Sequence, residues 1–189
     1  MAMVTADQVV LLTNTTKTEG DIEETGLCAI VQERIRNMCH NNFVQDGIAL
    51  TSAVTFNGTA GTIVATAAYT TAGFAAADEI YVSGSYRNDA YYTIASVTTT
   101  TITIASTSTL VTELSGATVT VSLVSWPGDL AFIAAQFVKY DIEDRADKGV
   151  GLASQSLGPR SESYTEGGQY GYPKDLLQML DNHRTPEFF

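Results

Sequence analysis

Two kinds of periodicity divide the chain. Between residues 51 and 125, polar and apolar positions alternate, as in Thr101-Ile102-Thr103-Ile104 and Thr118-Val119-Thr120-Val121-Ser122-Leu123. A period of two places Ile and Val on one face of a sheet and Thr on the other. Threonine is β-branched, so it suits a strand while staying polar outward. Further strands are predicted over Ala53–Phe56, Thr62–Tyr69, Glu79–Ser83 and Ala90–Val97. Asn57-Gly58, Ala72-Gly73, Arg87-Asn88-Asp89 and Ser115-Gly116 punctuate them as turns. Six short strands at this spacing predict a small β-sandwich or barrel.

The flanks follow helical periods. Thr5-Ala6-Asp7-Gln8 has the capping-box pattern and leads into Val9, Val10, Leu11 and Leu12. A looser start, Asp21-Ile22-Glu23-Glu24, precedes Leu27, Ile30, Val31, Ile35 and Met38 at helical spacing, which predicts one helix running toward His40. Trp126-Pro127-Gly128-Asp129 is another start, with Pro127 in the first helical position and Leu130, Ile133, Ala134, Phe137, Val138 and Tyr140 as the apolar stripe. Asp141, Glu143, Asp144 and Asp147 could attract a divalent cation, but they lack the loop pattern of a calcium site and are interrupted by Arg145, so they read as the solvated end of that helix. Residues 151–171 hold five glycines and a Ser-rich run, which predicts an extended loop or loose hairpin, and Pro173 opens a short helix carrying Leu176, Leu177, Met179 and Leu180.

Charge sharpens this division. The chain has 189 residues, 10 Lys+Arg against 21 Asp+Glu, and a net charge of −11. Residues 51–125 contain four acids and one base, Arg87, together with 18 of the 26 threonines, while the outer residues carry an ordinary charge density. The expected fold class is therefore α+β, a small helical bundle with an inserted all-β sandwich or barrel domain. The expected domains are 1–46 with 126–189, a discontinuous helical domain, and 47–125, the insert. Net acidity argues against holding nucleic acid through its phosphates. No run of about 20 apolar residues predicts a membrane span, and the N-terminal residues show no secretory leader.

Chemistry-bearing motifs are sparse. Cys28 and Cys39, eleven residues apart on one predicted helix, lie about 16 Å apart at ~1.5 Å per residue, too far for a disulfide. His40 and His183 form no metal-ligand spacing and read as helix-end residues. No phosphate-binding Gly loop or nucleophile elbow occurs. No catalytic residue, metal or cofactor is expected, and the protein is not expected to be an enzyme. Two segments read as interaction surfaces. One is the C-terminal stretch, whose Leu/Met face and Phe188-Phe189 end either pack back on the chain or dock in a partner groove. The other is the tyrosine set Tyr81, Tyr86, Tyr91 and Tyr92 of the insert, which reads as sheet packing or as an interface.

Joining the flanks gives an ordered series: a helix ending Arg34-Ile35-Arg36-Asn37-Met38-Cys39-His40, then Trp126-Pro127-Gly128-Asp129-Leu130, then Ser156-Leu157-Gly158-Pro159-Arg160-Ser161-Glu162-Ser163-Tyr164, then Tyr172-Pro173-Lys174-Asp175-Leu176-Leu177. This series resembles the head–tail connector (neck adaptor) proteins of long-tailed bacteriophages. It departs from that family in Pro159 and Arg160 after the glycine and in carrying the insert, which is itself similar to β-modules of other phage structural proteins.

The resemblance implies a structural virion protein at the neck, assembled in the bacterial host cytoplasm. Such proteins form a homo-oligomeric ring, usually a dodecamer, under the portal protein, extend the DNA channel and meet a stopper, tail-tube or tail-terminator protein. Double-stranded DNA is then a partner only in transit, and a membrane is not one. The family's C-terminal docking segment maps to Tyr172, Pro173, Leu176, Leu177, Leu180, Phe188 and Phe189. Its inter-subunit or channel loop maps to Ser156, Gly158, Arg160, Ser163 and Tyr164. The alternative is a virion surface module whose insert, through Tyr81, Tyr86, Tyr91 and Tyr92, binds carbohydrate or another structural protein.

Overall fold

The computed structural model describes residues 2–105, 109–114, 118–144, 154–157, 160–163 and 171–185. It divides the chain into two compact units, Asn42–Ser125 and Ala2–Asn41 with Trp126–Phe189.

In the first unit the alternating segments become strands β1 (Val44–Asn57), β2 (Thr62–Ala65), β3 (Glu79–Ser83), β4 (Tyr91–Val97), β5 (Thr101–Ile104) and β6 (Thr118–Val124). All pairings are antiparallel, in the order β1-β2-β5-β4-β3-β6, and β6 returns to β1 to close a barrel. Closure leaves no unpaired strand edge within it. The register puts apolar residues opposite one another: Ile63 faces Ile102, Val82 faces Val121, Ile80 faces Tyr92 and Ile94 faces Ile104. These side chains fill the interior with Val54, Phe56, Leu110 and Val119. Burying an aliphatic side chain of this size contributes about 2 kcal/mol. Threonines occupy the other face, where Thr51 and Thr120 share a hydroxyl hydrogen bond of 2.9 Å.

Two strand boundaries differ from the alternation. β1 begins at Val44, nine residues before Ala53, because a register irregularity between Val44 and Ala49 carries it through the polar residues and Gly47. β2 stops at Ala65, and Tyr69 belongs instead to a one-turn helix, α4 (Tyr69–Ala72), closed by Gly73. Tyr69 and Phe74 then enter the core in an edge-to-face pair, ring centroids 5.8 Å apart.

The second unit contains α1 (Ala6–Leu12), α2 (Glu19–Thr25), α3 (Leu27–Cys39), α5 (Leu130–Lys139) and α6 (Lys174–Gln178). A two-stranded antiparallel hairpin of β7 (Ser154–Leu157) and β8 (Arg160–Ser163) lies in the same stretch. Thr5 and Thr18 both form full capping boxes. The single helix expected to run from Asp21 toward His40 is two helices. Gly26 sits in the left-handed region (φ 63°), ends α2 and starts α3, a conformation open to glycine. Pro127 likewise lies before the helix: α5 begins at Leu130, whose amide donates to the Pro127 carbonyl at 3.0 Å.

These observations correct the expected fold class. The protein is a mixed α/β structure dominated by antiparallel sheet, and its helices do not form a bundle. Among the described residues, only α3 and α5, of 13 and 10 residues, exceed two turns. α1 and α2 have seven residues each, about 10 Å, too short to lie along a neighbour as bundle helices do. Among the described residues, no helix is long and apolar enough to cross a membrane.

Candidate functional site

α5 does not fray into a solvated acidic end. It continues as a π-helical turn, Tyr140–Asp144, which widens the backbone just where the acids begin. Asp141 is consequently directed inward, its side chain only 2% exposed, against Arg34 of α3. The Arg34 Nη1 donates to Asp141 Oδ2 at 2.6 Å and to the Tyr172 hydroxyl at 2.8 Å, and that hydroxyl donates to the same Asp141 oxygen at 2.7 Å. Arg34 thus closes a triangle with two residues more than a hundred positions further along the chain. Burial raises the Tyr172 phenol far above its usual range, and its bond to Asp141 adds to the effect, so it stays a neutral donor. For Arg34, burial works to lower the guanidinium, but the hydrogen bonds to Tyr172 and Asp141 and the Asp141 charge raise it overall. The reading of Asp141 as a solvated helix-end residue is therefore replaced by a buried, paired one.

Glu143, two residues on, also points at its own chain. It accepts from the Thr15 hydroxyl at 2.7 Å and the Thr16 amide at 2.6 Å, and these bonds, the Thr15 hydroxyl first, hold its carboxyl below the usual range. Arg36 is buried, ion-paired with Glu33 at 3.4 Å, and its guanidinium lies 4.8 Å over the Trp126 ring.

This triangle fixes the C-terminal segment. Tyr172 is fully buried, its ring 4.4 Å from that of Phe137. Leu177 and Leu180 are buried, Pro173 and Leu176 half-buried. His183 pairs with Asp129 at 2.8 Å, its carbonyl accepts from the Asn41 amide, and the Thr185 amide donates to the Cys39 carbonyl at 2.8 Å. Of the two roles open to this segment, the described part packs back on its own unit. Phe188 and Phe189 lie outside the described residues. So do Gly158 and Tyr164, while Ser156, Arg160 and Ser163 are described only as backbone of β7 and β8. Cys39 is buried and Cys28 half-buried, both as thiols. Burial pushes the Cys39 thiol up to about 11.

The tyrosines of the first unit separate into three roles. Tyr92 is a core residue whose hydroxyl reaches the Asn88 carbonyl at 3.1 Å. Tyr81 and Tyr91 stack 4.7 Å apart on adjacent strands, and the Tyr91 hydroxyl donates to Asn42 at 2.8 Å. Tyr86 stands alone at the tip of the β3–β4 loop, 81% exposed.

Two carboxylates hold that loop. Asp89 accepts from the amides of Gly84 at 3.1 Å and Ser85 at 2.7 Å, and from the Ser85 hydroxyl at 2.7 Å. Its partial burial opposes ionisation, but the Ser85 and Gly84 bonds outweigh it and lower its pKa. Glu113 accepts from the amides of Tyr86 at 3.1 Å and Arg87 at 2.8 Å and from the Asn88 amide group. Asn88, buried, also exchanges two bonds with the backbone of Val111 at 2.8 and 2.9 Å. Gly84 has φ +87°, and a Cβ there would stand 3.1 Å from the Thr118 carbonyl, so the loop's first turn requires glycine.

Sequence reasoning marked Tyr172 and Tyr86 but not the groups that place them, Arg34, Asp141, Asn88, Asp89 and Glu113. Arg87-Asn88-Asp89 carried a turn signal, and Asp141 an acidic cluster, yet neither pattern names a distant partner. Among the described residues no group of three or more His, Cys, Asp or Glu is placed to hold a metal ion. No protein-family model matches the chain, and neither does any curated protein.

Proposed function

We propose that the protein is a structural virion component, a head–tail connector that forms a homo-oligomeric ring under the portal, extends the DNA channel and links the capsid to the tail. The reading rests on the ordered series from Arg34 through Trp126-Pro127-Gly128-Asp129-Leu130 and Ser156–Tyr164 to Tyr172–Leu177. It is supported by the way the outer segments, 84 residues apart in the chain, join in one compact unit centred on Arg34, Asp141 and Tyr172. The net charge of −11 supports it too, because a channel in which DNA slides must not grip phosphates.

Burial refines the docking surface. Tyr172, Leu177 and Leu180 hold the segment to its own unit, so contact with the portal falls to its outward positions, Leu176 and Met179 among them. The decisive experiment is negative-stain imaging of the protein mixed with the portal protein of the same virus. Coaxially stacked rings are expected. Separate particles at all mixing ratios would sink the connector reading. Met179→Asp is expected to weaken portal attachment without changing helical content by circular dichroism.

A further inference from the structure

The turn between β1 and β2 contains a reactive pair, Asn57-Gly58, the chain's single Asn-Gly sequence. In such a pair the glycine amide, with no Cβ beside it, can reach the asparagine side-chain carbon. The turn uses both residues for its shape. Asn57 Oδ1 accepts from the Thr59 amide at 3.1 Å and the Ala60 amide at 3.0 Å, so the turn closes on the asparagine side chain. Gly58 lies against the segment that follows β5. A Cβ there would stand 2.5 Å from the Leu110 carbonyl oxygen and 3.2 Å from the Thr112 amide nitrogen, so the backbone has room only for glycine. The fold therefore calls for the two residues that react most readily in an open chain. The closed barrel also restrains them. The Gly58 amide donates to Thr112 Oγ1 at 3.0 Å, which ties the nitrogen that would attack. The segment carrying Thr112 is held in turn by the paired backbone bonds of Phe56 and Glu113, both 3.0 Å, and by Leu110 in the core.

We propose that Asn57 is a modification site gated by barrel closure: it is preserved while the barrel is shut, and once the barrel opens it deamidates to two products, one of which cannot close the barrel again. The Gly58 amide gives its proton to hydroxide and its nitrogen bonds to Asn57 Cγ. The Cγ–Nδ2 bond breaks, and Nδ2 takes a proton from water and leaves as ammonia. Water then opens the resulting cyclic imide. Where the bond from the Gly58 nitrogen to Cγ breaks, an ordinary aspartyl residue results, whose carboxylate accepts the same two amides. Where the bond to the main-chain carbonyl carbon breaks, an isoaspartyl residue results, and the chain runs through Cγ with one more backbone atom before Gly58. That atom has no room where a single Cβ already meets the Leu110 carbonyl, so the isoaspartyl chain loses the Thr112 bond and the Phe56–Glu113 pairing. The reaction thus marks chains whose barrel has opened. It does not depend on the connector reading, which the portal experiment decides separately.

The test incubates the full chain in mildly alkaline buffer, with and without unfolding guanidinium chloride, and follows residue 57 by peptide mapping with mass spectrometry. Asn57 is expected to be lost in denaturant and retained in the folded chain. Thr112→Val, at an exposed position, removes the acceptor of the Gly58 amide. It should raise the rate in the folded chain about tenfold, the effect of one hydrogen bond, and leave the rate in denaturant unchanged. Chains converted in denaturant are then refolded, separated into native and non-native fractions by size exclusion, and mapped again. The isoaspartyl form should collect in the non-native fraction and the aspartyl form in the native one. Equal wild-type rates with and without denaturant would overturn the gating, and that comparison stands even where the variant does not fold. A folded Thr112→Val chain that reacts no faster than wild type, or isoaspartyl chains shared equally between the fractions, would overturn the proposal as well.

Discussion

The barrel unit and the helical unit solve the problem of buried polarity in opposite ways. The barrel packs Ile63, Ile80, Ile94 and Ile102 against one another in its interior and sets carboxylates in its turns, Asp78 on the Ala75 amide and Asp89 and Glu113 on the β3–β4 loop. The helical unit places a charged pair, Arg34 and Asp141, inside and uses Tyr172 to close it. A closed barrel satisfies its backbone internally and needs only filling. Short helices joined to a distant C-terminal segment need a directional tie, and a charge-assisted hydrogen bond supplies one. Apolar packing fills both units, and the second adds a few specific bonds to it.

The largest expected effect is in the barrel. Ile102→Ala should destabilise it by about 4 kcal/mol through lost burial and a residual cavity, seen by circular dichroism, while the fluorescence of Trp126, the chain's single tryptophan, changes little at the same denaturant. Equal shifts of both signals would abolish the contrast between units. Asp141→Ala should reverse the pattern, destabilising the helical unit by about 3 kcal/mol because Arg34, 28% exposed, loses its counter-ion. Trp126 should then respond first. Asn88→Ala is expected to cost about 2 kcal/mol by leaving the Val111 backbone and Glu113 without their partner, with a melting shift confined to the barrel signal.

Acid gives the smallest and most even effect. Asp89 and Glu143 both have folded pKa values below their usual ones. Their contribution is complete above the unfolded values of about 3.9 and 4.3 and is lost as pH falls through the lower folded values. Asp89→Asn should flatten that acid slope in the barrel signal only, and Glu143→Gln in the Trp126 signal only. A slope unchanged in either variant would show that other carboxylates govern acid unfolding.

How much of this was legible in the chain depended on range. Thr101–Ile104 and Glu79–Ser83 occupy the residues their alternation predicts, because a half-buried strand writes its pleat directly into neighbouring positions. Tyr69 was lost to a helix because a short apolar run fits either element, and only the Gly73 cap decides. The beginning of β1 was hidden by its register irregularity. At the candidate sites the marked residues were aromatic and the unmarked ones were their partners. Asp141 looks like any acid at a helix end, since what buries it is Arg34, 107 residues away, and no local period carries that information. Asp89 and Glu113 were invisible for the same reason, each bonding to backbone amides that any residue supplies.

The base of the barrel has a further consequence, in the order of events as the chain folds. Val44 pairs with Val124, and the Ser125 amide donates to the Phe43 carbonyl at 2.8 Å, so the chain leaves the first unit beside the point where it came in. Until the barrel forms, Arg34 must find Asp141 across a free loop of more than a hundred residues. Once it forms, the intervening chain behaves as a tight turn. With Phe43 and Ser125 brought together, about two dozen residues of free chain remain, and the relief in closure entropy is about 1 kcal/mol. The barrel is therefore expected to mature first in time and act as a staple for the helices, so a mutation that slows barrel formation also delays a unit in which it does not lie.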